Sequence, residues 1–361
     1  MSLEQNAGAI ARQFKIPGQL SSVVPHGTGH INDTYCATFR HPEIEQRVIL
    51  QRINANIFKN PVALMENIQR VTTHLSAQIS GRSDNAHRSL TLISARDGHP
   101  WLVDEEGRYW RAYYFIDNAR SYDTVESAEQ AFQAAKAFGS FQRRLADLPS
   151  PRLHETIPDF HHTPKRLATL ERAITADTAN RAAMSRAEID FALARRSMVS
   201  ALLDANLPER VTHNDTKLNN VLLDDATGEA ICVIDLDTVM PGLAPYDFGD
   251  MVRTTTSPAK EDELDLSKVA MQFPLFESLV RGYLDGAADF LTKQEKEFLV
   301  LAGKLITFEQ GIRFLTDFLA GDTYYKTHRD LHNLDRCRTQ FKLVDSIERQ
   351  EERMNQLVNS I

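Results

Sequence analysis

The segment from Val211 to Asp250 constrains the fold of this 361-residue chain more strongly than any other. It opens with the polar octet HNDTKLNN, residues 213–220. Two apolar runs follow, at 221–223 and 230–234, and turn-forming residues separate them. Two such runs on either side of an Asp/Gly turn predict a β-hairpin. Because the octet precedes the first strand and Asp235 follows the second, we expect three polar side chains around one point.

The octet has the spacing of the protein-kinase catalytic loop, in which His, Asp and Asn occupy positions one, three and eight. Phosphoryl transfer requires the protein mainly to align the nucleophile and to neutralise charge on the transferred oxygens. We therefore predict that Asp215 accepts the proton of an attacking hydroxyl and that Lys217 contacts the phosphate as a point charge. Asn220 and Asp235 would supply oxygen ligands to Mg²⁺. The alternative is a polar loop that caps a hairpin by chance, but the octet, the hairpin and the 20-residue separation of Asp215 and Asp235 together favour catalysis.

A second motif, Asp247-Phe248-Gly249, spells the metal-binding motif of protein kinases literally. It follows the Pro/Gly-rich stretch 241–245 and no predicted strand. The metal ligand should leave the second hairpin strand beside the octet, and Asp235 meets that condition. We therefore predict a structural role for Asp247 and Asp250, which would cap the next helix and hold the loop backbone.

The composition indicates two lobes or domains, because 361 residues exceed one small core. The formal net charge of −8 argues against a nucleic-acid partner, since binding to a phosphate backbone needs clustered Lys and Arg. No apolar run approaches the ~18 residues of a membrane span, and the N-terminus has no signal-like apolar core. The three scattered cysteines are predicted to be reduced thiols of a cytoplasmic protein. No feature points to an obligate protein partner.

The first third of the chain predicts a small antiparallel sheet with one main helix. Strand-like runs lie at 23–24, 34–39, 47–53, 89–95, 101–104 and 109–116. Asn60-Pro61 predicts a helix start, with Asn at the N-cap and Pro at the first helical position. Between the first two strands, Gly27-Thr28-Gly29 is a G-x-G turn whose N–H groups could lie against ATP phosphates. An ordinary hairpin turn is the alternative, since Asn32 replaces the third glycine of the kinase loop.

Further contacts with ATP are predicted on the third strand, the main helix and the segment that ends the sheet. Kinases carry a lysine on the third strand, where this chain has Gln51 and Arg52. We predict that Arg52 replaces the lysine and that Glu66 is its ion-pair partner. A surface arginine and a solvated glutamate are the alternatives. Tyr114-Phe115-Ile116 is predicted to be the hinge whose main-chain groups hydrogen-bond adenine.

Helical patterns dominate after residue 118, at about 128–148, 163–174, 182–204, 265–286, 292–320 and 332–358. Glu309, Arg313 and Asp317 recur at i, i+4 and i+8. This spacing is typical of a salt-bridged solvent stripe, worth about 0.3–0.5 kcal/mol per pair, or else of a polar stripe that faces a substrate cleft. The expected fold is α+β and protein-kinase-like, with a nucleotide-binding N-lobe at 1–117. A larger, mostly helical C-lobe at 118–361 would carry the catalytic loop and the substrate region.

These motifs resemble the aminoglycoside phosphotransferase and choline kinase superfamily, whose members phosphorylate hydroxyls of small molecules. Within it, the chain is similar to the N-acetylhexosamine 1-kinases. The similarity rests on GHINDTY (29–35), ILQRIN (49–54), KNPVALMENI (59–68), AKAFGSFQRRLADLP (135–149), IPDFHHTPKR (157–166), HNDTKLNNVL (213–222) and DLDTVMPGLAPYDFGD (235–250). It implies ATP and Mg²⁺ as cofactors and the anomeric hydroxyl of GlcNAc or GalNAc as the attacking group. By position, it also implies that His30, Thr254, Arg313 and Tyr324 lie near the sugar.

Two other classes of protein stay open. A catalytically silent kinase-like binding protein would lack Asp215, Asn220 or Asp235, and all three are present. A kinase for choline, an aminoglycoside, homoserine or methylthioribose would share the core and differ in the helical lobe. The motifs do not separate those acceptors from a sugar.

Overall fold

The computed structural model describes residues 3–27, 31–42, 44–79 and 89–361. Its helices are α1 (Leu3–Ala11), α2 (Pro61–Ile79), α3 (Ala128–Arg144), α4 (Thr163–Ala176), α5 (Arg186–Ala194), α6 (Ala201–Asp204), α7 (Ala244–Thr255), α8 (Phe273–Ala287), α9 (Lys293–Glu297), α10 (Leu299–Leu319) and α11 (His332–Ser360). Its strands are β1 (Gln19–Pro25), β2 (Asp33–His41), β3 (Ile44–Arg52), β4 (Leu92–Ile93), β5 (Leu102–Val103), β6 (Tyr109–Tyr114), β7 (Ala119–Arg120), β8 (Glu209–Thr212), β9 (Val221–Asp224), β10 (Ala230–Val233) and β11 (Met240–Leu243).

The N-terminal part is an antiparallel sheet in the order β1-β2-β3-β6-β4, with β5 also paired to β6. Side chains alternate along each strand, so Tyr35, Ala37 and Phe39 share one face, where they pack with α1. The opposite face carries Tyr113 and Ile49 and packs against α2. An antiparallel sheet with one main helix is therefore confirmed.

The C-terminal part is mostly helical, as expected, and its core lies between α3, α7 and α8. Phe138, Phe248 and Tyr283 are fully buried there. α3 and α8 approach each other closely because α8 carries glycine at the contact. A Cβ atom at Gly286 would lie only 2.2 Å from the carbonyl oxygen of Lys136. The same cluster includes Val221 of the hairpin and thereby supports the catalytic loop.

Two predicted long helices are broken. The stretch 182–204 forms α5, a 3-10 turn at Arg196–Met198, and α6. α5 buries Ile189 in one apolar cluster, whereas α6 buries Leu202 in another, and one straight helix would not reach both. The stretch 292–320 divides at Phe298, which ends α9 and precedes α10. A capping box between Thr292 and Glu295 starts α9.

The start of α8 also differs from the prediction. The helix expected from residue 265 begins at Phe273, with a proline in its first turn. Leu266–Lys268 forms a 3-10 turn instead. Further 3-10 turns lie at Leu218–Asn220, Leu236–Thr238 and Ala288–Phe290.

The structure contains a strand pair that the sequence did not predict. β8 precedes the octet and pairs antiparallel with β11, with Thr212 opposite Met240. The Pro/Gly-rich stretch before Asp247 is thus partly a strand, contrary to expectation. β7 pairs with β9, so the chain joins the sheet of the hairpin directly after residue 118. The lobe boundary at residues 117 and 118 stays a prediction.

The cysteines and the helices can be compared with what the composition predicts. Cys36, Cys232 and Cys337 are free and buried, in line with the predicted core thiols. None of the helices in the described ranges has the length and apolar character needed to cross a membrane.

Candidate active site

Asp247 of α7 fixes the backbone of the catalytic loop. Its buried carboxylate accepts hydrogen bonds from the backbone N–H groups of His213, at 2.9 Å, and Asn214, at 2.7 Å. Gln142 of α3 donates to the same carboxylate at 2.6 Å, and the Thr216 hydroxyl donates to the Asp247 carbonyl at 2.5 Å. The octet is thereby tied to the helical core, so the predicted hold of Asp247 on the loop backbone is confirmed. The expected capping role is wrong, because Asp247 and Asp250 lie inside α7, whose N-cap is Leu243.

Asp215 lies between Lys217 and Asn220, with 22 % of its side chain exposed. The Lys217 ammonium is 2.8 Å from one carboxylate oxygen. Asn220 Nδ2 donates to the other oxygen at 3.2 Å and to the Asp215 carbonyl at 2.8 Å. Burial alone would raise the pKa of Asp215, but the charge and hydrogen bond of Lys217, together with the charges of His213 and Arg253, outweigh it and hold that pKa below its ordinary value. Asp215 is therefore ionised at neutral pH and held in one orientation, as a proton acceptor must be.

Asp235 follows β10 and is close enough to Asp215 for their charges to interact. Its backbone is in the left-handed region, with φ of 58°. The residue is exposed, yet desolvation by the surrounding protein raises the pKa of Asp235 to about 6, with added repulsion from Asp237 and Asp215. Within the described ranges, this carboxylate has no hydrogen-bond or ion-pair partner. A cation would relieve the repulsion among these carboxylates.

The oxygen donors at this point suit a hard divalent cation. Asn220 uses Nδ2 to hold Asp215, which leaves its Oδ1 for a metal beside Asp235. In the part of the chain that the structure covers, no group of three or more His, Cys, Asp or Glu side chains forms a closed metal site. Mg²⁺ does not need one, because it takes one or two protein ligands and completes its shell with phosphate and water.

We expect Asp235→Ala and Asp247→Ala to fail in different ways. Asp235→Ala should raise the Mg²⁺ requirement for nucleotide binding by about tenfold or more, because an available carboxylate ligand is lost. Asp247→Ala should lower the free energy of unfolding by about 1–3 kcal/mol, since two buried N–H groups lose their acceptor. Mg²⁺ titrations of nucleotide binding and urea denaturation of both variants check this. A raised Mg²⁺ requirement in Asp247→Ala alone would contradict the assignment.

The structure does not bring Arg52 and Glu66 together. Arg52 pairs with Asp33 on the neighbouring strand, and Glu66 hydrogen-bonds His154 at 2.8 Å. The expected Arg52–Glu66 ion pair is therefore wrong. The reason is strand alternation. Arg52 lies on the same face of β3 as Leu50, which packs with α1, whereas Gln51 lies on the face that packs against α2, the helix that carries Glu66. A contact of Arg52 or Glu66 with ATP stays a prediction.

The sheet carries a buried cation on β6, Arg111, and not at the predicted position Arg52 of β3. It lies opposite Gln51 in the sheet, and its Nε donates to Gln51 Oε1 at 2.9 Å. The guanidinium is 1 % exposed and pairs with Asp237, which is 4 % exposed. Burial alone would lower the pKa of Arg111, but the charge and hydrogen bond of Asp237, together with Tyr113 and Asp235, more than reverse this and the pKa is raised. Arg111 is therefore a fixed positive charge near Asp235.

Asn32 links the turn between β1 and β2 to the same pair. Its Nδ2 donates to Asp237 at 2.6 Å, and its Oδ1 accepts the backbone N–H of Asn54 at 3.0 Å. Sequence reasoning missed this cluster. The available signal was Arg111 as the single charge of the stretch YWRAYY and Asp237 as a second aspartate two residues after Asp235. The strand period alone did not reveal that the two stretches meet.

At the predicted hinge, two of the three backbone N–H groups are already used. Those of Tyr114 and Phe115 donate to the carbonyls of Thr91 and Arg47, each at 3.1 Å. The N–H of Ile116 has no hydrogen-bond partner in the described segments, so it remains available to a ligand.

The predicted phosphate turn is described only at its first residue. Gly27 has φ of 76°, and a Cβ atom there would meet nothing within 4 Å. Thr28, Gly29 and His30 lie outside the described residues.

The charges of α10 do not form a solvent stripe. Glu309 and Asp317 are only 1 % and 5 % exposed. Glu309 accepts from the Thr163 hydroxyl at 2.6 Å, and Arg313 donates to Gln310 at 3.0 Å. Arg313 has no carboxylate partner within 4 Å among the described residues. The salt-bridged stripe is therefore wrong, because Thr163 of α4 engages Glu309, the loop after α10 engages Asp317, and Arg313 bonds to a neutral residue of its own helix.

Arg313 and Tyr324 meet around one aromatic ring. The guanidinium carbon of Arg313 lies 5.9 Å from the centroid of the Tyr325 ring. The ring of Tyr324 packs edge-to-face against the same ring, with 4.8 Å between the ring centroids. Asp317 fixes this loop by accepting the backbone N–H of Tyr324 at 2.8 Å. Thr254 lies in the wall of a cavity beside Lys217. The structure thus places two of the predicted sugar residues against one ring and the third beside Lys217.

The antiparallel sheet lobe and the helical lobe define a protein-kinase-like architecture, with Asp215 in the loop before the hairpin. The sequence matches the model of the phosphotransferase enzyme family over residues 22–281, more than two thirds of the chain. The chain belongs to that family.

Solved structures with the same fold have low sequence identity to the chain. A microcompartment-associated aminopropanol kinase is 17 % identical, with 97 % of this chain and 98 % of that chain covered and a TM-score of 0.57. A spectinomycin phosphotransferase in complex with ADP and spectinomycin is 13 % identical, with 98 % and 99 % covered and a TM-score of 0.64. A choline/ethanolamine kinase family protein from Mesorhizobium loti is 16 % identical, with both chains fully covered and a TM-score of 0.58. The shared feature is the two-lobed fold.

Proposed function

We propose that this protein is an ATP-dependent kinase that transfers the γ-phosphate to a hydroxyl group of a small molecule. The observation that carries the proposal is the position of Asp215, an ionised carboxylate held between Lys217 and Asn220 and close to the unpartnered Asp235. Asp215 orients the attacking hydroxyl and accepts its proton. Lys217 then stands beside the transferred phosphate. This division of roles follows the general scheme of phosphoryl transfer.

ATP would bind between the sheet and the catalytic loop. The free N–H of Ile116 is available to adenine, and the turn that begins at Gly27 would lie against the phosphates. Arg111 replaces the strand lysine of kinases in this proposal, because it is the buried cation near Asp235. The ADP complex of the spectinomycin phosphotransferase supports a nucleotide in this fold.

Asn220 and Asp235 would hold Mg²⁺. When bound, the ion neutralises charge on the phosphate oxygens. The chain itself contributes the rigid placement of these two ligands, through the hydrogen bond from Asn220 to Asp215 and the position of Asp235 at the end of β10.

The acceptor that we propose is the anomeric hydroxyl of an N-acetylhexosamine, which yields a sugar 1-phosphate. An anomeric hydroxyl is more acidic than an ordinary alcohol, and it therefore suits Asp215, whose lowered pKa makes it a weak base. Arg313 supports a neutral, oxygen-rich acceptor, because an arginine without a carboxylate partner would repel the ammonium group of choline or an aminoglycoside. Tyr324 and His30 would complete the surroundings of the ring.

Kinases for an amino alcohol, choline or an aminoglycoside are the alternative, and relatives of that kind share the fold. An ATP-consumption screen over free sugars and amino alcohols separates them, with the position of the product phosphate read by NMR. Turnover of N-acetylhexosamine with phosphate at C1 supports the proposal. Turnover of amino alcohols alone would overturn the sugar assignment while leaving the kinase assignment intact.

We expect Arg313→Ala to raise KM for N-acetylhexosamine about tenfold, or ~1.4 kcal/mol, with little change in KM for ATP. The reason is that the guanidinium has donors to spare for sugar hydroxyls. Steady-state kinetics measure both constants. Arg172→Ala, at an exposed site on α4, is the matched control and should leave both unchanged. A change below twofold in Arg313→Ala would remove this residue from the acceptor site.

A further inference from the structure

His161 connects the catalytic loop to a helix of the C-terminal part. It lies just before α4, and its side chain is 6 % exposed. Its Nε2 is 3.3 Å from the carbonyl oxygen of Asn214, and its Nδ1 is 2.9 Å from a carboxylate oxygen of Glu309. Asn214 directly precedes Asp215, whereas Glu309 is on α10, one turn before Arg313. One buried ring thus joins the backbone beside the proposed base to the helix that we assign to the acceptor.

The two partners of His161 determine the direction of its hydrogen bonds. A backbone carbonyl only accepts, and so does an ionised carboxylate. Burial alone would raise the pKa of Glu309, but the charge and hydrogen bond of His161, together with the charge of Arg313 and the hydrogen bond of Thr163, outweigh it and lower that pKa. The carboxylate is therefore ionised at neutral pH. Both ring nitrogens of His161 then donate, one to each partner.

The peptide group between Asn214 and Asp215 is held at both of its polar atoms. His161 donates to the carbonyl of Asn214, and the N–H of Asp215 donates to His213 Nδ1 at 3.3 Å. Asn214 itself has a φ of 65°. A residue other than glycine keeps such a conformation where its surroundings hold it. The bond from His161 therefore helps to set the direction in which the Asp215 side chain leaves the backbone.

Packing alone does not explain a histidine at this position. The ring of Phe160 lies edge-on to the His161 ring, with 4.7 Å between the centroids, and the ring of Tyr246 lies at 5.1 Å. Any aromatic side chain of this size would fill the space between those rings. The nitrogen donors are the feature that a phenylalanine would lack.

We propose that His161 is a positioning residue, which fixes the peptide between Asn214 and Asp215 and thereby the orientation of the Asp215 carboxylate. The inference rests on the proposed function, because that function makes Asp215 the proton acceptor. His161 acts through the backbone and touches neither ATP nor the acceptor. Its loss should therefore lower kcat and leave both KM values nearly unchanged.

Two substitutions separate the roles of the two ring nitrogens. His161→Gln places an amide N–H near the position of Nε2 and retains the bond to Asn214. His161→Asn reaches only the position of Nδ1 and retains the bond to Glu309. We expect His161→Asn to lower kcat about 10- to 100-fold, because the base is displaced, and His161→Gln to stay within about threefold of the wild type. Steady-state kinetics with ATP and N-acetylhexosamine measure kcat and both KM values.

His162→Asn is the matched control, at the next residue. The His162 ring accepts the backbone N–H of Lys165 at the start of α4, and asparagine is suited to that capping position. This variant should keep the kcat of the wild type. Equal kcat values in His161→Asn and His161→Gln, or a change in His161→Asn that is confined to KM, would overturn the proposal.

Exchange of backbone amide hydrogens tests the same contact without turnover. Mass spectrometry should show that a peptide containing residues 213–220 exchanges about tenfold faster in His161→Asn and His161→Phe than in the wild type and His161→Gln. The amides of α4 should exchange equally in all four proteins. If the wild type phosphorylates no acceptor, the proposed function fails, and these exchange rates alone decide whether His161 holds the loop. Equal exchange of that peptide in all four proteins would overturn the proposal.

Discussion

Asp215→Asn should lower kcat about 10²- to 10⁴-fold while the affinity for ATP stays close to that of the wild type. The substitution keeps the size of the side chain and the hydrogen bond from Asn220, but it removes the proton acceptor. The nucleotide contacts that we propose lie in other segments, at Ile116 and Arg111. Single-turnover rates and equilibrium binding of ATP measure the two quantities separately.

Asp289→Asn is the matched control for that experiment, because Asp289 is exposed and lies just after α8. It should change neither rate nor affinity. If Asp215→Asn lost ATP affinity in proportion to rate, Asp215 would be a nucleotide ligand and not the base. A near-normal rate would remove it from the reaction altogether.

Arg111→Met should lower the free energy of unfolding by about 3–5 kcal/mol, because it leaves the carboxylate of Asp237 buried and without its charge partner. Methionine preserves much of the length and apolar volume of the arginine stem. The double variant Arg111→Met/Asp237→Asn should recover a large part of this loss, since the unpaired charge is removed and Asn32 can still donate to residue 237. Urea denaturation of the three proteins measures the difference.

Arg52→Met is the matched control on the neighbouring strand. Its ion pair with Asp33 lies at the surface, so its loss should cost about 0–1 kcal/mol. If Arg111→Met cost no more than Arg52→Met, the buried pair would contribute nothing that a surface pair does not. A rise in KM for ATP in Arg111→Met alone would support the proposed replacement of the strand lysine.

The features that the sequence determined by itself are local. The octet, the hairpin and Asp235 lie within 40 residues, so hydrogen bonding across one hairpin is enough to bring Asp215, Asn220 and Asp235 near one another. The structural role of Asp247 could be inferred for the same reason, since α7 begins shortly after that hairpin. The kinase-like order of a sheet lobe followed by helices was also visible from strand and helix periods.

Only the tertiary structure decided the partners of residues that are far apart in sequence. Arg111 and Asp237 are 126 residues apart, and nothing local says that a β6 side chain reaches the turn after β10. The same holds for Arg313, whose helical spacing favoured a salt bridge that neighbouring elements prevent by engaging Glu309 and Asp317. Periodicity specifies which face of an element is buried, whereas the choice of partner depends on which elements pack against that face.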